Sequence, residues 1–343
     1  MSRRVRTLAA SAALLLVLVV LAATLRVPYV ILGPGPTYNT LGVDDAGAPI
    51  IALDGREPNP TSGHLNLTTV SVRSQNVTVF EAIQGWLAGD RVVVPRETVY
   101  PPGRTTDEVN AANTQDFVDS QNSAQTAAFC ELGYPAGLGV SSIADTSLAV
   151  GVLQVGDLLL AVDGTPVTDA ESLTAVLSTT SPGQVVEVDI RRLGVDSTVK
   201  VTLVAASDGA QGGRMGILVS TGCHAPFTVD LGLATSIGGP SAGLMFALGI
   251  IDMIGDADLT GGKFIAGTGT ITAAGEVGPI GGIPLKMIAA QRAGATVFLA
   301  PGGNCDEVRG ATPEGLTVIK VETLHGALED LADLQSGGPL TTC

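Results

Sequence analysis

Residues 237–251 constrain the fold more than any other stretch of the chain. Glycines, a proline and Ser241 come first, and an almost wholly apolar run follows them directly. Glycine and proline favour a tight turn, whereas a helix that is apolar on every side must be buried inside a domain. The sequence therefore predicts a turn that carries Ser241 to the N-terminus of a core helix.

Ser241 has two interpretations at this position. The unpaired backbone N–H groups at the start of a helix face the same space as the Ser241 hydroxyl, which suits a nucleophile beside an oxyanion site. Serine is also a favoured N-cap residue, and that role would be purely structural. This stretch alone does not decide between the two.

A second stretch, residues 275–294, adds a lysine to the argument. Pro284 suits the first turn of a helix and Gly294 suits the position just after its end, so residues 283–293 are predicted to be helical. Helical spacing places Lys286 on the same face as the apolar residues of this helix. Its side chain is therefore expected to point toward the core.

Burial of Lys286 would give it a chemical role. Desolvation disfavours the ammonium form and lowers the pKa of a lysine, and a neutral amine near pH 7 is a general base. Beside Ser241 it would take the hydroxyl proton directly, as a Ser-Lys dyad that needs no histidine. A lysine that extends along its helix into water is the alternative interpretation.

The order of these residues resembles the proteolytic domain of Lon proteases. The resemblance covers roughly residues 207–335. It is carried by Gly-Pro-Ser-Ala-Gly at 239–243, by Thr268-Gly269, and by Gly-Pro-Ile-Gly-Gly at 278–282 ahead of Lys286. It implies that Ser241 is the nucleophile, that Lys286 is the general base, and that the hydroxyl of Thr268 helps to position the lysine.

The same assignment predicts an oxyanion site, and the sequence predicts an enzyme that does not depend on ATP. Backbone N–H groups around Gly239 and Ala242 are expected to stabilise the tetrahedral oxyanion. The Gly-x-x-x-x-Gly-Lys-[Ser/Thr] pattern of nucleotide-binding loops does not occur, since residues 260–264 lack both its spacing and its final hydroxyl. We therefore expect an ATP-independent serine endopeptidase for exported or unfolded polypeptides, with no cofactor. The resemblance leaves open assembly into a homo-oligomeric ring.

The N-terminus predicts a membrane anchor. Residues 8–25 are an unbroken run of apolar or small side chains, and three arginines precede them. About twenty apolar residues span a bilayer, and flanking arginines stay on the cytoplasmic side. Residues 1–7 are then a cytoplasmic stub, residues 8–28 a single-pass anchor in the cell membrane, and the catalytic domain is extracellular. A cleaved signal peptide is the alternative.

Charge and cysteine content argue against nucleic-acid binding and against a metal site. Four of the 18 basic residues precede residue 27, so the remainder of the chain carries 14 basic groups against 33 acidic ones. Such an acidic body does not favour nucleic acid. The four cysteines form no Cys-x-x-Cys spacing and histidine is scarce, so no metal site is expected. Cys223–Cys305 is the preferred disulfide and Cys130–Cys343 the next, with the other connectivities open.

Residues 126–206 resemble a PDZ domain. Gly137, Leu138, Gly139 and Val140 are predicted to form the peptide-binding loop of that domain, facing a helix at residues 169–177. A small barrel that only separates the protease from the membrane is the alternative. This unit would lie between a membrane-proximal α/β segment at 29–125 and the Lon-like domain at 207–343.

The whole chain is thus predicted to be an α+β protein with a transmembrane helix, a membrane-proximal α/β segment, a small PDZ-like β-barrel and a Lon-type α/β domain. Within the membrane-proximal segment we expect a strand at residues 63–72, a helix at 79–87 and a long loop at 95–116. Two other functions remain open: an inactive protease-like scaffold, and an α/β-hydrolase-type esterase that uses Ser241 with His325.

Overall fold

The computed structural model describes residues 3–44, 46–206, 211–233 and 237–343. Its α-helices are α1 (Arg3–Thr24), α2 (Val79–Leu87), α3 (Arg96–Val99), α4 (Thr106–Glu131), α5 (Ala170–Ser178), α6 (Gly243–Ile254), α7 (Ile283–Ala293), α8 (Cys305–Arg309) and α9 (Leu324–Ser336). Its strands are β1 (Tyr29–Asn39), β2 (Ile51–Asp54), β3 (His64–Arg73), β4 (Val92–Pro95), β5 (Ala136–Ile143), β6 (Leu158–Val162), β7 (Thr165–Pro166), β8 (Val185–Arg192), β9 (Val195–Thr202), β10 (Val204–Ala205), β11 (Gly213–Arg214), β12 (Ile217–Cys223), β13 (Thr228–Leu231), β14 (Phe264–Gly267), β15 (Thr270–Ile271), β16 (Val277–Gly278), β17 (Val297–Pro301) and β18 (Thr317–Val321). The chain is an α+β protein, as predicted.

A six-stranded mixed sheet is the centre of the larger body, in the order β18-β17-β14-β3-β1-β4. The neighbours from β18 to β3 are parallel, and β1 runs antiparallel to both of its neighbours. Side chains alternate across the strands. Ile265 and Leu299 therefore pack with α4, α6 and α9 on one face, whereas Ala266 and Phe298 pack with α7 and α8 on the other. Two helical layers thus cover the sheet.

A second sheet, in the order β12-β5-β6-β8-β9, forms a smaller body with α5 and a core of its own. This body is inserted into the larger one, because β1, β3 and β4 precede it in the chain while β14, β17 and β18 follow it. Residues 29–125 are therefore not a separate segment, which differs from the prediction: β3 lies between β1 and β14 in the central sheet. The boundary expected at 206/207 adjoins residues 207–210, which lie outside the described residues.

The predicted strand at 63–72 and the predicted helix at 79–87 are confirmed as β3 and α2. The long loop predicted at 95–116 is wrong, because the chain forms α3 and then enters α4 at Thr106. A capping box starts α4: the Thr105 hydroxyl accepts the N–H of Glu108, whose carboxylate accepts the N–H of Thr105. Polar residues on most sides of α4 hide its helical period in the sequence.

The disulfides differ from the preferred prediction. Cys130 pairs with Cys223, and Cys305 pairs with Cys343. The first bond joins the end of α4 to the end of β12, where the chain enters and leaves the inserted body. The second attaches the C-terminus to α8. Both predicted pairs, Cys223–Cys305 and Cys130–Cys343, are therefore wrong.

The helix α1 is long and apolar enough to cross a membrane, with a mean hydropathy of 2.4 and no buried part. It ends at Thr24, before the predicted limit of the anchor at residue 28. A signal sequence near an N-terminus has the same properties. The helix is therefore a candidate membrane span or signal sequence.

Candidate active site

Ser241 lies in the turn that leads into α6. Gly239 in this turn has a φ of +88°, a conformation that a side chain would strain. Ala242 is the N-cap residue of α6, and nearly every residue of that helix is buried. The prediction of a tight turn before a core helix is confirmed, and Ser241 is half-buried at the helix mouth.

Lys286 lies on α7, which matches the predicted helix at residues 283–293. Pro284 is in its first turn and Gly294, with a φ of +101°, ends it. The lysine side chain is only 3% exposed, and burial lowers its pKa to about 7. Among the described residues no acidic group lies within ion-pair distance of it. Its amine is therefore neutral in a large fraction of molecules near neutral pH.

The structure brings together the two side chains that the sequence put 45 residues apart. The Nζ atom of Lys286 lies 2.8 Å from the Oγ atom of Ser241 and 2.9 Å from the Oγ1 atom of Thr268. The Thr268 hydroxyl is fully buried and donates a 3.0 Å hydrogen bond to the Ser241 carbonyl oxygen. Thr268 follows directly after β14, so Lys286 and Ser241 meet at the end of that strand from the two opposite helical layers.

The helix α4 supports the Ser241 turn from outside. The Gly239 N–H donates to the carbonyl oxygen of Asn113, and the Ser120 hydroxyl donates to that of Pro240, both at 2.8 Å. The Gly239 N–H is therefore already bonded, which contradicts its prediction as an oxyanion donor. The N–H of Ala242, at the start of α6, has no hydrogen bond of this kind in the described part of the chain.

A cleft of about 660 Å³ runs past Ser241 and Lys286. One wall is the second half of β3, residues 68–72, and the opposite wall comes from α4 and the Ser241 turn. β14 pairs with β3 only as far as Leu67. Beyond that residue, no strand of the described chain pairs with this edge of β3. Backbone groups of β3 thus face the cleft beside the Ser-Lys pair.

Sequence reasoning missed the two residues of α4 that hold the turn, Asn113 and Ser120. A signal for the helix was present, since Thr105 and Glu108 form the Thr-x-x-Glu pattern of a capping box. No local signal identifies the contacts themselves, because they join residues more than 100 positions apart.

His325 lies away from Ser241 and makes other contacts. Its Nδ1 is 2.6 Å from a carboxylate oxygen of Glu131, its Nε2 faces Glu329, and the ring is exposed. The side chain within hydrogen-bond distance of Ser241 Oγ is Lys286 instead. The esterase alternative is contradicted by this geometry. A strand directly before the Ser241 turn, which that alternative needs, would include residues 234–236, outside the described residues.

The predicted peptide-binding residues Gly137, Leu138, Gly139 and Val140 are not in a loop. They belong to β5, which pairs with β12 along its whole length and with β6 on its other edge. At residues 138–140 an incoming peptide therefore has no free edge of β5 to join. The space beside α5 is bounded by β12, and a cavity of about 420 Å³ lies between them.

Comparison with known proteins gives a match to part of each body. Residues 228–332 match the family model of the Lon protease (S16) C-terminal proteolytic domain. Residues 228–332 thus resemble a Lon-type proteolytic domain. Residues 105–203 match the PDZ domain model. The Lon-type match covers the Ser241 turn, Thr268 and Lys286, so the serine-peptidase assignment made from the sequence is confirmed at the level of the domain.

Individual proteins that match this chain are also Lon proteases. The Lon protease of Roseiflexus castenholzii is 38% identical over 93 residues, which are 26% of this chain and 11% of that protein. The Lon protease of Clostridium beijerinckii is 40% identical over 98 residues, 27% of this chain and 12% of that protein. This chain therefore spans little more than a tenth of the relatives that it matches. Among solved structures, the PDZ domain of an SdrC-like protein from Listeria monocytogenes is 23% identical over 24% of this chain and 86% of its own, with a TM-score of 0.23.

Proposed function

We propose that this protein is a membrane-anchored serine endopeptidase that uses Ser241 as nucleophile and Lys286 as general base. The observation that carries the proposal is the 2.8 Å separation of Lys286 Nζ and Ser241 Oγ, together with a lysine pKa near 7. A neutral amine within hydrogen-bond distance takes the hydroxyl proton as the serine attacks a carbonyl carbon. Thr268 holds the amine in place through its hydroxyl.

The reaction then follows from these atoms. Attack by Ser241 Oγ gives a tetrahedral intermediate, and the N–H of Ala242 at the helix mouth stabilises its oxyanion. The Lys286 ammonium returns its proton to the leaving amine as the peptide bond breaks, which leaves an ester on Ser241. Lys286 next takes a proton from water as the water oxygen attacks the ester carbonyl. The ester bond to Ser241 then breaks, the new C-terminal acid leaves, and the Lys286 ammonium returns its proton to Ser241 Oγ.

The cleft supports extended, unfolded polypeptides as substrates. The unpaired edge of β3 at residues 68–72 offers backbone hydrogen-bonding groups to an incoming strand beside Ser241. A folded protein does not present a free strand of this kind. The chain carries no nucleotide-binding loop pattern, so we propose that cleavage needs no ATP. With α1 as a single-pass anchor, the catalytic domain lies outside the cell membrane.

For the PDZ domain we propose a role in binding substrate tails or a regulator. Because β5 is paired on both edges, such a peptide would join the outer edge of β12 and face α5. Thr174 is exposed on α5 and lines this cavity. Thr174→Trp should fill it and raise KM for tailed substrates without changing kcat. An unchanged KM would contradict the proposal that substrate tails bind between β12 and α5.

The central test is cleavage of casein, an unfolded protein, by the purified full chain in detergent, with and without ATP. Wild type should cleave equally well in both conditions. Ser241→Ala and Lys286→Met should abolish cleavage, whereas His325→Ala should retain it. Cleavage that survives Lys286→Met and disappears with His325→Ala would overturn the dyad. The mass of the same detergent samples tests whether the protein forms a homo-oligomeric ring.

A further inference from the structure

The helix α2 has its apolar side chains on the wrong side for a helix of a soluble domain. Gly85 faces the body and packs against Ile31 and Val93. Phe80, Ile83, Trp86 and Leu87 are exposed, with Trp86 68% and Leu87 83% accessible. At 100° per residue these four positions occupy one continuous face of the helix. A large apolar face that points away from the core indicates a binding surface.

This face begins where the candidate membrane span ends. The N–H of Val79, the first residue of α2, donates to the carbonyl oxygen of Leu25, and Val27 donates to Val77. Both bonds tie the start of α2 to the chain just after Thr24, the last residue of α1. The apolar face of α2 is thus held at the level at which α1 would leave the hydrocarbon.

The charges on and around α2 favour insertion of its apolar face into a lipid bilayer over electrostatic attraction to lipid headgroups. Glu81 is the only charged residue of the helix, and its carboxylate is used by the capping box and by Arg73. The rest of the exported part is strongly acidic. An acidic body is repelled by anionic lipid, so contact with a bilayer must come from apolar burial.

We propose that α2 lies in the membrane–water interface, with Phe80, Ile83, Trp86 and Leu87 buried in the lipid. Interfacial helices insert an apolar face into the boundary between headgroups and acyl chains, and tryptophan is enriched at that depth. The two attachments, α1 across the bilayer and α2 along it, hold the folded body in one orientation to the membrane surface.

Trp86 is the only tryptophan of the chain, so its fluorescence reports on α2 alone. The full chain is reconstituted in phosphatidylcholine vesicles that contain lipids brominated near the headgroup or near the bilayer centre. We expect the emission to shift to shorter wavelength. Quenching should be stronger by the shallow bromines than by the deep ones, weak by aqueous iodide, and unchanged in high salt.

A matched control uses an equally exposed site on the inserted body. Leu218 on β12 is 68% accessible, the same as Trp86. In the variant Trp86→Phe with Leu218→Trp, iodide should quench the emission and brominated lipid should not. Ile83→Glu with Leu87→Glu removes apolar area without touching the core. In this variant Trp86 should lose its quenching by bromine.

Two results would overturn the proposal. Trp86 that iodide quenches and brominated lipid does not would mean that α2 faces water. Trp86 that neither quencher reaches would mean that protein covers the helix, most simply a second copy of the chain. None of these measurements depends on peptidase activity, so the proposed function and this proposal can fail independently.

Discussion

The hydroxyl of Ser120 donates a 2.8 Å hydrogen bond to the carbonyl oxygen of Pro240, the residue before the proposed nucleophile. Ser120 is buried on α4, which precedes the inserted PDZ body, whereas Pro240 follows that body. The backbone of Asn113, on the same helix, accepts the N–H of Gly239. A helix from the first half of the chain therefore holds the turn that positions Ser241.

Ser120→Ala should lower kcat by about tenfold and leave KM nearly unchanged, because small displacements of a reacting group are costly. Loss of one hydrogen bond should cost only about 1 kcal/mol of the free energy of unfolding. Steady-state cleavage of a fluorogenic peptide and thermal unfolding measure the two effects. Ser123→Ala, on the same helix but without a bond to the turn, is the control. Equal kcat values for the two variants would contradict a positioning role for Ser120.

Peptidase activity should rise with pH through a midpoint near 7. Burial lowers the pKa of Lys286 to about 7, and only the neutral amine can accept the serine proton. Below the midpoint the ammonium form predominates and kcat/KM falls about tenfold for each pH unit. The profile of kcat/KM between pH 5 and 9 checks this. Activity that still rises about tenfold per pH unit at pH 9 would contradict the lowered pKa of Lys286, and a flat profile would show that Lys286 is not the base.

Thr268 should contribute to kcat through its hydroxyl group rather than through the shape of its side chain. Thr268→Val keeps the volume but removes both the acceptor for Lys286 Nζ and the donor to the Ser241 carbonyl. We expect kcat to fall by about a hundredfold as the amine loses its position. Thr268→Ser keeps the hydroxyl and should retain most of the activity. If serine and valine variants are equally impaired, the hydroxyl is not the reason for the defect.

Asp252 should destabilise the fold at neutral pH. This carboxyl is buried on α6, and burial raises its pKa to about 6. Because that value exceeds the ordinary 3.8, the folded protein holds the proton more tightly than the unfolded chain, and stability falls as the pH rises from about 4 to about 6. The loss is up to about 3 kcal/mol above that range.

Asp252→Asn should therefore raise Tm at pH 7.5 and have little effect at pH 4, measured by thermal unfolding. Asp258→Asn provides the opposite case, since the Ser62 hydroxyl and nearby N–H groups lower the pKa of Asp258. Its ionised form stabilises the fold above pH 4, and this contribution is lost as the pH falls. The Asp258 variant should lower Tm at pH 7.5. A change of Tm in the same direction for both variants at pH 7.5 would contradict the opposite pKa shifts assigned to Asp252 and Asp258.

Much of the site could be predicted because its signals are local. Pro284 and Gly294 mark the ends of α7, and the apolar period between them put Lys286 on the inner face. The glycine turn and the apolar run beyond it identified the position of Ser241. Each inference used residues within a few turns of one another, where backbone geometry and side-chain period suffice.

Apart from the loop predicted at 95–116, the errors fall where distant segments meet. The β3 edge, the α4 contacts and the pairing of β5 with β12 join residues from separate parts of the chain. The disulfide partners of Cys130 and Cys305 could not be predicted either, because four cysteines permit three connectivities and their spacing does not choose among them.

The sequence by itself determined the N-terminal apolar helix, the two helices that carry or follow the reactive side chains, and the residue types of a Ser-Lys pair. Only the tertiary structure decided that the PDZ body is inserted within the larger domain and that the amine reaches the hydroxyl past the end of β14. The physical reason is that periodicity and capping act over a few residues. Sheet order and the contact between opposite helical layers depend instead on how the whole chain packs.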